Sequence, residues 1–187
     1  MLQELAVAAP RAAKRLLGCV LERELDGQKV HVRIVETEAY DQTDAASHSY
    51  KGRTPRTDVM FGPAGHLYVY FTHGMHYCCN VVVGKAGEGA AVLIRAVEPL
   101  AGKNVLRAHR PGKTDRELTN GPAKLCQALA IDKRLNGHDL QTAPLKLALR
   151  PRLDDRDIMV SPRIGIAHAK EVQWRFAICN NEYVSRY

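Results

Sequence analysis

Apolar and polar residues alternate between positions 30 and 40: Val30, Val32 and Ile34 share one face, His31 and Arg33 the other. That two-residue period predicts a strand with one buried side. Carried forward unbroken, it sets Glu36, Glu38 and Tyr40 on the face of the valines, where the pattern asks for apolar side chains; a bulge would reverse the assignment. Upstream, Pro10 followed by Arg11-Ala-Ala-Lys-Arg-Leu-Leu17 and Gly18 predicts a short helix closed by a glycine. Residues 67–71 and 78–83 predict two strands joined by a turn at Gly74, and residues 91–97 a third. Asn120, with Pro122 just inside, predicts the start of a helix running to Ile131. Short strands are expected near 145–149, 158–160, 163–166 and 174–178. The polar stretch 41–65, with Pro55 and the pair Gly62-Pro63, predicts a loop. Several strands with few helices between them predict an α+β fold: a single domain with a curved, largely antiparallel sheet and a few flanking helices.

Length agrees with one domain spanning 1–187, large enough to bury a core without metal or disulfide staples. No repeat period is present, and no tract is biased enough for disorder. Charge adds more: 27 Lys and Arg against 20 Asp and Glu give +7, which favours a polyanionic partner. The first ten residues include Glu4 and lack the basic start and apolar run of a secretory signal. The longest stretch free of Asp, Glu, Lys and Arg, 59–84, holds Pro63, several glycines, three histidines and Asn80, so it does not suit a membrane span. Five cysteines, at 19, 78, 79, 126 and 179, form an odd set with no Cys-x-x-Cys pair. Reduced thiols, and a cytoplasmic or nuclear location, are the expectation.

Five of the seven tyrosines (40, 50, 68, 70 and 77) and four of the eight histidines (48, 66, 73 and 76) crowd into one window just after Glu38. Half-buried strand positions accept such residues with their polar tips in water, but flat aromatic faces beside a carboxylate also suit a planar ligand. Glu38 itself has two readings that spacing does not separate: a structural ion-pair partner, or a general base that deprotonates water. His73-x-x-His76 followed by Cys78 and Cys79 offers ligands of the right class for zinc, with Glu38 to complete a catalytic set. No second cluster closes that set, and a metal-free reading is preferred.

The string Ile34-Val-Glu-Thr-Glu-Ala-Tyr40 resembles a motif of the alkyladenine (3-methyladenine or methylpurine) DNA glycosylase family. Further segments match in order: Ala45-Ala-Ser-His-Ser49 with Thr54-Pro-Arg56; Met60-Phe61; Leu67-Tyr-Val-Tyr70 through Gly74-Met75 to Asn80; and Val92-Leu-Ile-Arg-Ala-Val-Glu-Pro99. Asn120-Gly-Pro-Ala-Lys-Leu-Cys-Gln-Ala-Leu129 and Arg163-Ile-Gly-Ile-Ala-His168 extend the likeness, which spans roughly 12–186.

The resemblance implies a monofunctional enzyme of base-excision repair. Such an enzyme flips 3-methyladenine, 7-methylguanine or the neutral hypoxanthine out of duplex DNA and hydrolyses the N-glycosidic bond, without metal or organic cofactor. By that likeness Glu38 is the base that activates water, and Tyr40, His48 and Tyr70 hold the flipped purine. Asn80 is a gate against the exocyclic amine of guanine, and Arg95 a contact near the nucleotide's phosphate. The family's intercalating tyrosine is here replaced by His73, a smaller and chargeable ring, with Met75 beside it. Arg53, Arg56 and the basic stretch from Lys103 to Arg116 are expected to meet DNA phosphates. Lys124 sits on an amphipathic helix, so no lyase nucleophile is expected. A monomer is the expected state. Rival readings are a non-catalytic binder of damaged nucleic acid and a metal-dependent hydrolase.

Overall fold

The computed structural model describes residues 2–72 and 74–185. His73, the expected wedge, lies outside the described residues. Among the described residues, eight strands form one antiparallel sheet: β1 (Val20–Leu25), β2 (Gln28–Tyr40), β3 (Leu67–Thr72), β4 (His76–Val82), β5 (Ala91–Ala101), β6 (Leu145–Ala148), β7 (Ile158–Ser161) and β8 (Arg175–Ile178). The path runs β3-β4-β5-β2-β1-β6. β1 occupies one edge of β2 over residues 28–33, and β8 takes over the same edge at 36–38, carrying β7 outside it. Helices α1 (Ala9–Leu16), α2 (Lys103–His109) and α3 (Pro122–Ala128) flank the sheet. The expected α+β class with a curved antiparallel sheet is what the chain adopts.

The main core lies between the helices and one sheet face. Ala12, Ala13 and Leu16 of α1 and Leu125 and Cys126 of α3 meet Val32, Ile34, Val69, Val81, Val92 and Ile94. Burying such side chains contributes about 1.5–3 kcal/mol for each large aliphatic residue. Strand alternation then turns Tyr68, Tyr70, Cys78, Asn80 and Leu93 to the other face.

The long strand β2 departs from the unbroken alternation expected of it. Val35 has no partner on β5, because Ile34 faces Val97 while Glu36 faces Ala96. One step later Arg95 of β5 is the extra residue, between Glu36↔Ala96 and Thr37↔Ile94. The Val35 bulge flips the parity of β2. After it Thr37 and Ala39 face α1 and the core, with the Thr37 hydroxyl donating to the Ala13 carbonyl at 3.1 Å. Glu36, Glu38 and Tyr40 are thereby moved off the valine face, which corrects the unbroken reading.

Smaller differences have local causes. β1 carries Glu22, Arg23 and Glu24 in succession, which hides its alternation; Arg23 is nevertheless buried, donating to the carbonyls of Leu129 and Ala130. Helix α2 forms inside the basic stretch because Val105 and Leu106 dock on the core. Helix α3 is shorter than expected at both ends. Asn120 spends its Oδ1 on the Lys124 ammonium rather than on a backbone N–H, and Ala130 at φ +48° ends the helix before Ile131. Residues 163–166 form no strand: Pro162 precedes them, Gly165 takes φ +73°, and the Arg163 guanidinium is drawn into a buried ion pair.

Candidate active site

Register alone places the central residues. Tyr68 of β3 faces Asn80 of β4, Asn80 faces Leu93 of β5, and Leu93 faces Glu38 of β2. Arg175 of β8 continues the row beyond Glu38. Neighbouring strands lie about 4.8 Å apart, so this row crosses the sheet with its side chains on the face away from the main core. The Arg95 bulge sits one step from the row and swings its guanidinium between two carboxylates: Nε lies 3.0 Å from Glu36 Oε1, and Nη1 lies 3.2 Å from Glu38 Oε1.

Glu38 is fully buried, held by two hydrogen-bond donors and one ion pair. Tyr40 Oη donates to Oε2 at 2.7 Å, the Ile164 backbone N–H donates to Oε1 at 2.8 Å, and Arg95 supplies the cation. A buried carboxylate without such partners costs several kcal/mol. Glu36, equally buried, receives Arg95, Arg175 Nε at 2.7 Å and both the N–H and the hydroxyl of Ser185. Two carboxylates therefore share two guanidiniums, so the buried network balances its own charge.

Above this floor opens a cleft of about 540 Å³. Tyr40, His48, Tyr70, Asn80 and Arg95 all line it, together with Tyr68, Cys78, the first residues of α3 and the turn 164–168. The His48 and Tyr70 rings meet edge-on at 4.6 Å, and Tyr68 stacks beside Tyr70 at 5.7 Å. His48 Nδ1 bonds the Tyr68 hydroxyl at 3.1 Å. Burial, reinforced by the nearby Arg56 guanidinium, holds His48 below the usual imidazole range, so the ring is neutral. Burial and the adjacent Glu38 charge push the Tyr40 hydroxyl up, keeping it a donor. Burial pushes the Cys78 thiol up to about 11, which makes it a weak nucleophile. Asn80 is pinned by its Nδ2, which donates to the Tyr68 carbonyl at 3.1 Å.

The remaining expected residues lie around the mouth. Arg56 is exposed, with its guanidinium 5.8 Å from the Tyr70 ring centroid. Arg53 is exposed and paired with Asp58 at 2.5 Å. Met75, 69% exposed, stands at the tip of the β3–β4 hairpin, where Gly74 takes the turn at φ +68°. Arg95, expected near a phosphate, is buried between Glu36 and Glu38. Lys124 is exposed and bound to Asn120.

Sequence reasoning did not single out Glu36, Tyr68, Asp44, Arg163 or Arg175 as site residues. Tyr68 was inside the aromatic window, and Arg163 opened a matched segment, so both carried a signal; Asp44 carried none. Among the described residues no group of three or more His, Cys, Asp or Glu side chains is placed to hold a metal ion. The cysteines at 19, 78, 79 and 126 are free and buried, and Cys179 is free and exposed. Among the described residues no helix is long and apolar enough to cross a membrane.

The chain as a whole is similar to known proteins. The methylpurine-DNA glycosylase family model matches residues 3–182. A protein of Carboxydothermus hydrogenoformans named "Putative 3-methyladenine DNA glycosylase" is 53% identical, with 93% of this chain and 92% of that one aligned. Proteins of the same name from Desulfitobacterium hafniense (47% identical, 92% and 91% aligned) and Methanoculleus marisnigri (46%, 93% and 92%) are similar over comparable spans. A match of this extent carries one conclusion: the chain belongs to the methylpurine-DNA glycosylase family.

Proposed function

We propose that the chain is a monofunctional glycosylase that draws alkylated purines out of duplex DNA and hydrolyses their N-glycosidic bond with a water deprotonated by Glu38. One observation carries the reading: a buried carboxylate, fixed by Ile164 and by two residues that line an aromatic-walled cleft, Tyr40 and Arg95. Extruding a base costs a few kcal/mol, and each aromatic contact returns about 1–3 kcal/mol. Stacking on Tyr40 and Tyr70, with His48 at the side, is enough to balance the flip. An alkylated purine is cationic, so it suits electron-rich ring faces and a neutral His48.

The chemistry then needs one charged group. As the C1′–N bond lengthens, positive charge gathers on the sugar, and the Glu38 carboxylate stabilises it. The water oxygen bonds C1′, its proton passes to Glu38, and the electrons of the broken bond leave with the purine, cancelling its ring charge. Asn80, held against the Tyr68 carbonyl, stands where an exocyclic amine of a normal guanine would collide. His73 and Met75 fill the gap left in the duplex, and Arg53, Arg56 and the basic residues of 103–116 meet phosphates. Arg95, which lines the cleft, orients Glu38. The enzyme works as a monomer on DNA in the cytoplasm or nucleus.

The test is release of free base from a duplex carrying one 7-methylguanine, 3-methyladenine or hypoxanthine, with EDTA present. The expected products are the free methylated purine and an intact abasic strand. Absence of any base release, or release abolished by EDTA, would overturn the reading.

A further inference from the structure

Arg163 does not line the cleft, yet its side chain contacts several of the segments that build it. Its guanidinium is fully buried and forks onto Asp44, with Nη1 on Oδ2 and Nη2 on Oδ1, the latter at 3.0 Å. Nη1 also donates to the Ala39 carbonyl at 2.9 Å. The guanidinium lies 4.7 Å from the Tyr40 ring centroid, and Trp174 flanks it at 5.5 Å. The next residue, Ile164, gives its N–H to Glu38.

Three segments converge on this one side chain. Ala39 and Tyr40 continue the strand of Glu38. Asp44 opens the turn that carries Ala45, Ala46 and His48 along the cleft. Residues 164–168 form the opposite wall. None of these contacts comes from local structure, because Arg163 and Asp44 are 119 positions apart and residues 163–168 have no strand or helix to hold them. The fork ties the wall segment to the Asp44 turn, while Arg163 on the Ala39 carbonyl and the Ile164 amide on Glu38 tie it to the strand.

We infer that the Asp44–Arg163 pair is a positioning clamp, which sets the Ile164 amide on Glu38 and the plane of the Tyr40 ring behind the bound purine. The inference rests on the glycosylase reading and adds to it a determinant that does not touch substrate. A guanidinium is required, since it serves two carboxylate oxygens, a carbonyl and a ring face at once; an ammonium is a point charge and cannot. Small errors in placing a general base cost large factors in rate.

The experiment is single-turnover release of 7-methylguanine from duplex DNA at saturating enzyme by wild type, Asp44→Asn, Arg163→Lys and the double variant. The clamp predicts a rate constant at least tenfold lower in each single variant, with the amplitude of release preserved. The double variant should be no slower than the worse single one, because both break one unit. A merely structural role would lower only the fraction of active enzyme, read by titrating each variant against a fixed amount of the damaged duplex, and leave the rate constant unchanged; that result overturns the clamp. Hydrogen exchange at the Ile164 amide decides the clamp even if the wild type releases nothing, an outcome that would defeat the glycosylase reading. Exchange at least tenfold faster in Asp44→Asn is expected, and unchanged exchange overturns the clamp.

Discussion

The Tyr40 hydroxyl lies 2.7 Å from Glu38 Oε2, two residues back on the same strand, so one tyrosine gives its edge to the carboxylate while its ring lines the cleft. Those functions separate by substitution. Tyr40→Phe keeps the ring and deletes the donor, and a hydrogen bond to a charged group contributes about 1.5–3 kcal/mol. The single-turnover rate of base release should fall about tenfold to hundredfold while affinity for damaged duplex is retained. Tyr40→Ala should lose both. Equal rates for Tyr40→Phe and wild type would mean that the hydroxyl does not orient Glu38.

His48 gives a prediction in pH. Burial, then the Arg56 charge, lowers its folded pKa. The unfolded chain therefore binds a proton that the folded chain refuses as pH drops below about 6.5, and this group costs stability as pH falls through that range. Above it the contribution is flat. Removing the lesser cause in Arg56→Ala should raise the His48 pKa in an NMR titration, though burial keeps it under the ordinary value. No movement would show that the two side chains do not interact.

Glu36 is the acceptor that keeps Arg95 and Arg175 neutralised. Glu36→Ala leaves one carboxylate, Glu38, in a buried network that holds two guanidiniums, and should cost about 3–5 kcal/mol in chemical denaturation. The Ser185 N–H and hydroxyl would lose their acceptor as well. A loss under 1 kcal/mol would mean that water reaches the network.

The Lys124 ammonium binds Asn120 on an exposed helix surface and does not line the cleft, so it is not placed as an imine-forming nucleophile. Borohydride should trap no covalent complex with damaged DNA, and Lys124→Ala should release base at the wild-type rate. A trapped complex lost in Lys124→Ala would make the enzyme a lyase.

Much of this was legible in the chain because strand alternation survives in β3, β4 and the start of β5. Leu67 and Val69 go to the core while Tyr68 and Tyr70 turn away, and the aromatic window thereby becomes one wall of a cleft. Tyr40, His48, Tyr70 and Asn80, all singled out in the sequence, line it, and Glu38 is buried next to them, bonded to Tyr40. The Val35 bulge was not legible, because an extra apolar residue in an apolar strand leaves no break in the pattern. Yet it is what moves Glu38 from the core face to the sheet face that bears the cleft. The Asp44–Arg163 fork was hidden for a different reason: it joins two irregular segments far apart in sequence, and no local period encodes such a pair.

The account stands most directly on Glu38. Single-turnover release of 7-methylguanine from duplex DNA by wild type and Glu38→Gln, with binding to the same duplex measured alongside, isolates the carboxylate's charge. Glutamine preserves the shape and much of the hydrogen bonding but cannot take the proton from water. The account predicts binding within a few-fold of wild type and a rate constant reduced at least a thousandfold, about 4 kcal/mol of transition-state stabilisation. A Glu38→Gln enzyme that releases base at close to the wild-type rate would contradict it, leaving Glu38 as no more than an ion-pair partner for Arg95.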